Sequence, residues 1–382
     1  MSVPDPTAAA LRRVVIVYET EAAAALRLRA HGHPPAITQE IAVYLAQATD
    51  LPAHMPPITE ALAAEGIAVR FAELDELPGL VPELAEAAEE TLLWNVTDGT
   101  RYYRGAAVPA LARLLDLRQF GAPAPAQHLC QDKFATLALA QAAGLVCPPT
   151  RLMQGGRVLA TLGGALGEGP FFVKPNMLGA KLGIFADSRC ATLAEAGAAS
   201  ARIADRYADR ALVQPYLEGS DIRVSFLDTG GAFRRQLGIF RLASDPAGET
   251  GGAFMTMRDN DTLSGARDTA GGRGGFGAER PAAFVPRLAD LRAEPQSAAA
   301  VAAIETAAER LAELLDLSGI FSMDFRLRPD GRPVFLEFEV CPAVTIYDFQ
   351  TYLNAVHGAA LGPALARAFR HAFARPDGRG AA

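Results

Sequence analysis

The chain has few cysteines, no long apolar run and no excess of basic residues, and each absence excludes a class of protein. Its four cysteines, in 382 residues, form no CxxC pair, which argues against a disulfide framework or a cysteine-built zinc site and favours a reducing cytoplasm. No apolar stretch reaches the roughly 18–20 residues of a membrane span, and the first residues lack the apolar segment of a secretory signal. A formal net charge of −7 leaves no general basic surface for nucleic acid. We therefore expect a cytoplasmic globular protein with neither a membrane nor a nucleic acid as its partner.

Lysine is the scarcest of the charged residues. The 36 basic side chains comprise 33 arginines and three lysines, Lys133, Lys174 and Lys181. A GC-rich genome explains the scarcity, but it does not explain why all three lysines fall within one short stretch. A compact ammonium acts as a point charge on phosphate, which a planar guanidinium does not reproduce. The three lysines are therefore candidate phosphate ligands.

The first 120 residues alternate between strand-like and helix-like patterns. Short apolar runs at residues 14–18, 67–71 and 92–96 are separated by helical stretches. Strands that alternate with helices indicate a parallel sheet covered on both faces. A turn-rich segment at residues 121–125 then marks a predicted domain boundary. A helix is predicted after it, from Asp132 as N-cap to a stop at Gly144.

The middle of the chain carries a candidate phosphate-binding turn. Residues 171–175 (FFVKP) are predicted to form a strand, followed by a glycine-containing turn and a second short strand at 182–185. Such a turn can direct backbone N–H groups and the ammoniums of Lys174 and Lys181 toward phosphates. The P-loop pattern GxxxxGK[ST] is absent, and the one GxGxxG pattern follows no strand and is interpreted as loop. Residues 244–280, rich in Gly, Asp and Arg, are predicted to form a long mobile loop.

Residues 319–340 show the clearest strand pattern, that of a β-hairpin. Apolar residues alternate with Ser322, Asp324 and Arg326 in the first strand and with Glu337 and Glu339 in the second. This period of two places the polar residues of each strand on one face of the sheet.

The predicted register of this hairpin brings carboxylates together. With Asp330-Gly331 as a two-residue loop, Asp324 lies opposite Glu337, and Glu339 follows on the same face. Like charges directly opposite each other destabilise a sheet, so a cation should lie between them. Carboxylate oxygens suit a hard ion such as Mg²⁺ or Mn²⁺. A solvated acidic face of an edge hairpin is the alternative at this point.

The order and spacing of these segments resemble those of ATP-grasp enzymes, most closely the D-alanine–D-alanine ligase branch. The resemblance covers roughly residues 92–365 and rests on Lys133 in QDKFATLALAQAAGLVCPP, Lys174 in FFVKPN, and the stretches ALVQPYLEGSDIRVSFL and LEFEVCPAVT. It implies an α/β (α+β) ATP-grasp fold in three parts: a doubly wound α/β domain at 1–120, a central lid domain at 121–216 and a catalytic domain at 217–382.

The resemblance also implies ATP and Mg²⁺, with Mn²⁺ as an alternative, as cofactors. The residues implied to bind ATP are Lys133, Lys174, Lys181, Gln214, Tyr216, Leu217 and Asp221. The implied metal ligands are Asp324, Glu337 and Glu339. The implied reaction joins small-molecule carboxylate and amine substrates, amino acids in particular, through an acyl-phosphate and releases ADP and phosphate. Loop 244–280 would close over the nucleotide. The oligomeric state stays open, with a homodimer as one alternative.

The chain departs from the ligase branch mainly where the acceptor substrate would bind. The branch has a Gly-Gly loop after the first strand, which is missing here, and an arginine two residues before the metal aspartate, where this chain has Ser322. Further departures are Gln214 for an acidic adenine partner, Lys181 for a small hydroxyl residue, Glu339 for an asparagine and Ala343 for a glycine.

These departures leave the catalytic cation and the product open. The candidate catalytic residues are Lys174 and Lys181, together with Arg241, Arg258 or Arg223 as the cation that Ser322 does not supply. D-Alanyl-D-alanine is not the expected product. Two alternatives to a ligase remain: ATP-grasp chemistry of another kind, such as carboxylate phosphorylation or cyclisation, and a non-catalytic ATP-binding regulatory protein.

Overall fold

The structure is a computed structural model that describes residues 10–49, 51, 55–97, 104–179, 181–230, 238–242, 288–342, 353, 358 and 360–375. The predicted loop at 244–280 and Arg258 lie outside the described residues. The strands are β1 (Arg13–Tyr18), β2 (Ala68–Glu73), β3 (Thr91–Asn95), β4 (Arg118–Phe120), β5 (Thr150–Gln154), β6 (Arg157–Leu162), β7 (Phe171–Pro175), β8 (Arg189–Cys190), β9 (Ala211–Pro215), β10 (Ser220–Leu227), β11 (Gly238–Leu242), β12 (Leu288–Asp290), β13 (Ile320–Leu327) and β14 (Pro333–Glu339). The α-helices are α1 (Glu21–Ala30), α2 (Pro35–Thr49), α3 (Met55–Ala64), α4 (Leu77–Glu86), α5 (Arg104–Leu114), α6 (Ala124–Cys130), α7 (Lys133–Ala142), α8 (Leu193–Tyr207), α9 (Ala298–Leu314) and α10 (Leu361–Ala374).

The N-terminal sheet is parallel, with the strand order β2-β1-β3-β4. Strand β1 lies inside it because both of its faces are apolar. Val14 and Ile16 pack in one core with α3 and α10, and Val15 and Val17 pack in another with α4 and α5. The predicted parallel sheet with helices on both faces is confirmed.

A helical hairpin, α1–α2, lies between β1 and α3 and packs outside the N-terminal sheet. Helix α1 begins after Thr20, whose hydroxyl accepts a hydrogen bond from the Ala23 N–H at 3.2 Å, as an N-cap does. Leu28 of α1 and Ile41 of α2 share a core with Val173 of β7. The hairpin therefore covers the central sheet.

The central sheet is antiparallel, with the order β6-β5-β9-β7-β8. Its β5–β6 hairpin turns at Gly155–Gly156, a signal that sequence reasoning missed. The strand predicted at 182–185 is wrong, because this segment forms consecutive turns and the next strand is β8. Lys181 and Gly183 have positive φ angles of 64° and 76°, which interrupt an extended strand.

The C-terminal sheet is antiparallel, with the order β12-β11-β10-β13-β14. Its apolar face includes Ile222, Val224 and Met323, and packs against Ile304 and Leu311 of helix α9. None of the helices in the described segments is long and apolar enough to span a membrane.

The β13–β14 hairpin reaches the predicted Asp324–Glu337 pairing by a different route. Arg328 N–H donates to the Arg332 carbonyl at 3.0 Å, so the loop has three residues and the predicted two-residue loop is wrong. A bulge beside Asp324 then shifts the register by one residue and restores the pairing of Asp324 with Glu337. The bulge also turns Phe335 into the core, where its ring lies 5.6 Å from that of Phe325.

Candidate functional site

The face of the C-terminal sheet opposite α9 carries ordered rows of polar side chains. Residues paired across neighbouring strands project from the same face. The rows are Asp221 with Arg326, then Arg223 with Asp324 and Glu337, then Ser225 with Ser322 and Glu339. This face supplies all three carboxylates of the predicted metal set.

Protein cations already lie beside two of these carboxylates. The Arg223 guanidinium donates to both oxygens of Asp324, at 2.9 and 3.1 Å. The Lys133 Nζ lies 3.3 Å from the Glu337 Oε2. The expected cation between the paired carboxylates stays a prediction, since each of the two carboxylates has its own protein cation beside it. The like-charge argument alone therefore no longer requires a metal ion.

Lys133 and Lys174 reach this face from two different elements. Lys133 is the first residue of α7 and donates to the Leu178 carbonyl at 2.8 Å. Lys174 lies on β7, and both lysines are buried. Burial lowers the pKa of Lys174; the charge of Glu337 opposes this shift and that of Lys133 adds to it. Lys133 contacts the Glu337 carboxylate, and Lys174 lies near enough for its charge to act on it. Both ammoniums are therefore candidates to bind an anionic ligand.

The pKa of Glu337 is affected by the neighbouring lysines as well. Desolvation raises the pKa of its carboxyl, but the charges of Lys133 and Lys174, the hydrogen bond from Lys133 and the charge of Arg223 outweigh this and lower it to about 2. The side chain remains one-third exposed, at 33%. Glu337 is therefore ionised near neutral pH and open to solvent on one side.

A partly buried polar network holds the two lysine-bearing elements together. The Asn176 Oδ1 accepts from the Phe134 N–H at 2.9 Å, and its Nδ2 donates to the Asp132 Oδ1 at 3.0 Å. Arg210 donates to the other oxygen of Asp132 at 3.1 Å. These bonds join the end of β7 to the start of α7. Sequence reasoning identified Asp132 as an N-cap but missed Asn176 and Arg210, for which no local pattern exists.

The turn after β7 contains Lys181, the third candidate phosphate ligand. The Leu182 N–H donates to the Gly179 carbonyl and the Ile184 N–H to the Lys181 carbonyl, each at 2.9 Å. Leu178 and Leu182 are buried in the core shared with α1 and α2. The α1–α2 hairpin therefore packs against the buried side of this turn. Lys181 lies in a turn, as predicted.

The predicted nucleotide-base residues lie where the chain passes from the central to the C-terminal sheet. Gln214, on β9, is 3% exposed and donates from its Nε2 to the Thr150 Oγ1 at 2.9 Å. The Tyr216 N–H donates to the carbonyl of Pro170, the residue before β7. The Leu217 carbonyl accepts from the Arg326 Nε at 3.0 Å. Arg326 also pairs with the Asp221 Oδ1 at 2.7 Å. The crossing segment is thus fixed at both ends.

Gly219 permits this crossing. Its φ of +130° is disfavoured for residues with a side chain. A Cβ built there would lie 2.0 Å from the Leu327 carbonyl oxygen. Only glycine allows β10 to start this close to β13.

The structure does not bring Arg241 to the site. Arg241 pairs with Ile222 on the opposite, apolar side of the sheet, where it contacts Glu294 at 2.8 Å and the Ser220 Oγ at 2.7 Å. A guanidinium on that side does not reach the carboxylates, so the expectation for Arg241 is corrected. Arg258 lies outside the described residues. Of the three candidate arginines, Arg223 is the one that the structure places on the polar face.

The three predicted metal ligands fit a hard divalent ion by donor type but not as a ready-made cluster. Carboxylate oxygens are the preferred ligands of Mg²⁺. Within the described ranges, however, no group of three or more His, Cys, Asp or Glu residues is arranged to hold a metal ion. Both oxygens of Asp324 accept from Arg223 in this structure.

Comparison with solved structures shows that the chain has the fold of D-alanine–D-alanine ligases, the ATP-grasp fold. D-Alanyl-alanine synthetase A from Vibrio cholerae O1 biovar eltor matches with a TM-score of 0.59 at 13% identity, over 95% of this chain and 98% of that one. Two structures of D-alanine–D-alanine ligase from Bacillus anthracis, one of them complexed with ATP, match with TM-scores of 0.55 and 0.57 at 14% and 15% identity, over 95% of this chain and 97% of theirs. No protein-family model and no curated protein sequence matches the chain. The resemblance to the D-alanine–D-alanine ligase branch is thus confirmed for the fold.

Proposed function

We propose that the protein is an ATP-dependent carboxylate–amine ligase that forms an amide bond through an acyl-phosphate and releases ADP and phosphate. The observation that carries this proposal is the convergence of Lys133, Lys174 and Glu337, with Lys133 Nζ 3.3 Å from Glu337. Buried lysines beside carboxylates suit a polyphosphate and its counter-ion.

In this proposal the chain's own residues bind and polarise ATP. Lys133 and Lys174 contact phosphate oxygens and stabilise the charge that develops as the γ-phosphoryl moves. Lys181 and the backbone of its turn bind the same phosphates from the other side. Gln214, Tyr216 and Leu217 contact adenine, and Asp221 contacts the ribose.

The divalent ion belongs to the same proposal. Glu337 and Glu339, with Asp324, would hold Mg²⁺, which when bound neutralises charge on the phosphates. Glu339→Gln should then raise the Mg²⁺ concentration needed for half-maximal activity. An unchanged Mg²⁺ requirement would remove Glu339 from the metal site.

Arg223 is the residue we propose for the cation at the acyl group. Ser322, where the ligase branch has arginine, is buried, and its hydroxyl has no hydrogen-bond partner among the described residues. Arg223 projects from the neighbouring strand, one pair away from the Ser225–Ser322 pair. A guanidinium supplied from β10 instead of β13 alters the shape of the acceptor site, which supports a product other than D-alanyl-D-alanine.

Trapping of the intermediate tests the ligase proposal. A mixed carboxylic–phosphoric anhydride reacts with hydroxylamine to give a hydroxamate, because phosphate is a good leaving group. An amino-acid panel with MgATP should identify a carboxylate that yields ADP and, with hydroxylamine, a hydroxamate. Lys174→Met should abolish both products. Formation of ADP with that carboxylate, but without hydroxamate or amide, would favour carboxylate phosphorylation instead.

A second candidate is an ATP-binding protein without turnover. The bidentate Arg223–Asp324 contact favours this candidate, because Arg223 binds both oxygens of Asp324, a predicted metal ligand. Tight MgATP binding with no ADP formed across the whole panel would select this candidate.

A further inference from the structure

Thr150 and Gln214 form a buried cross-strand pair on the face of the central sheet that bears Lys174. Arg151 pairs with Val213 across β5 and β9, which places Thr150 opposite Gln214. On β7, Lys174 pairs with Leu212, which shares a face with Gln214. The pair thus lies on the side of the sheet that carries the candidate phosphate ligand.

The hydrogen bonds of Thr150 determine which end of the Gln214 amide faces it. The Thr150 hydroxyl has one proton and donates it to the Pro148 carbonyl at 2.9 Å. It can therefore only accept from Gln214, and only the amide NH₂ can donate to it. The 2.9 Å contact is thus from the Gln214 Nε2 to the Thr150 Oγ1.

This orientation directs the other end of the amide, the carbonyl oxygen, away from Thr150. In the described part of the chain the Gln214 Oε1 accepts no hydrogen bond, and it is not among the unpartnered polar atoms sealed from solvent. An amide held in this way acts as a pure acceptor, as a carboxylate does.

We propose that Thr150 determines the base specificity of the nucleotide site by locking Gln214 as a hydrogen-bond acceptor. This inference rests on the proposed function, which places the base at Gln214. A base with a 6-amino donor, such as adenine, pairs with the Gln214 Oε1. A base with a 6-oxo acceptor, such as hypoxanthine or guanine, faces it oxygen to oxygen and leaves both acceptors unpaired. A site built to bond one group discriminates strongly against an analogue that lacks it.

The test measures dissociation constants of three nucleotides with the full-length protein in Mg²⁺, by calorimetry or equilibrium dialysis. MgATP should bind about 10- to 100-fold more tightly than MgITP, which has hypoxanthine as its base. The triphosphate of purine riboside, which has no group at position 6, should bind with intermediate affinity. These comparisons need no variant and therefore no refolding control.

Variants then separate Thr150 from Gln214. Thr150→Val frees the amide to rotate, and the ATP preference over ITP should fall to within about threefold, whereas Thr150→Ser should keep it. In the Gln214→Glu background, where both oxygens are acceptors, Thr150→Val should leave the preference unchanged. Circular dichroism and thermal unfolding check that each variant is folded.

Each contrary result has a distinct meaning. An unchanged preference in folded Thr150→Val, or equal affinity of the unaltered protein for ATP and ITP, would overturn the role of Thr150 while leaving the nucleotide site in place. Failure of all three nucleotides to bind would overturn the proposed function, and this inference with it.

Discussion

The Arg223 guanidinium holds both oxygens of Asp324, at 2.9 and 3.1 Å, across neighbouring strands of the C-terminal sheet. Both side chains are about three-quarters buried, with exposed fractions of 23% and 25%. Planar two-point contacts of this kind fix orientation as well as charge. The pair therefore fixes the Arg223 guanidinium in the row next to the Ser225–Ser322 pair.

Replacement of Arg223 by lysine tests that position. Lysine keeps the charge but loses the two-point contact, so Arg223→Lys should lower the rate of ADP formation about 10-fold or more. Arg241→Lys is the matched control, since Arg241 makes a similar two-point contact with Glu294 on the far side of the sheet. Equal losses in the two variants would mean that Arg223 acts through stability alone.

Lys174→Met should separate folding from activity. Methionine is close to the buried Lys174 side chain in length, so the variant should still fold, which thermal unfolding checks. ADP formation should fall at least about 100-fold, because transition-state charge loses a ligand. Arg157→Met, on exposed strand β6, is the control for loss of a positive charge. Normal turnover in a folded Lys174→Met protein would remove Lys174 from the site.

The lowered pKa of Glu337 predicts an acid-dependent stability contribution. The pKa is about 2 in the folded protein against 4.5 for the free side chain, so the unfolded chain binds the proton more tightly. The contribution is complete above about pH 4.5 and is lost as the pH falls toward 2. Denaturant midpoints of the unaltered protein and Glu337→Gln should therefore converge as the pH falls from about 4.5 toward 2. The difference at neutral pH should be modest because the side chain is partly exposed, and a gap that widens in acid would contradict the assignment.

Two glycine substitutions separate backbone strain from steric clash. Gly219→Ala introduces a Cβ at 2.0 Å from the Leu327 oxygen in addition to a positive φ, whereas Gly331, with a φ of +79°, has open space around its Cβ position. Gly331→Ala should cost about 1–2 kcal/mol in the free energy of unfolding, and Gly219→Ala clearly more. Chemical unfolding of both variants measures this difference. Equal costs would mean that the segment between the sheets moves to accommodate a side chain.

The sequence by itself determined the local elements and the polarity of their faces. The period of two in β13 placed Ser322, Asp324 and Arg326 on one side, and Asp132 was identified as the cap of α7 from its residue type. The Asp324–Glu337 pairing was also predicted correctly, although through a loop one residue too short that a bulge compensates. Such features depend on residues close together in the chain, so the sequence specifies them directly.

Only the tertiary structure decided which charges meet. Arg223 and Lys133 lie far along the chain from the carboxylates that they contact, and the partner of each depends on how β10 and α7 pack against β13 and β14. Arg241 is, like Arg223, an arginine within a predicted strand, but it lies on the other face of the sheet. The Thr150–Gln214 pair likewise exists only because β5 and β9 are neighbours. Long-range packing sets these contacts, and no local pattern of residues specifies them.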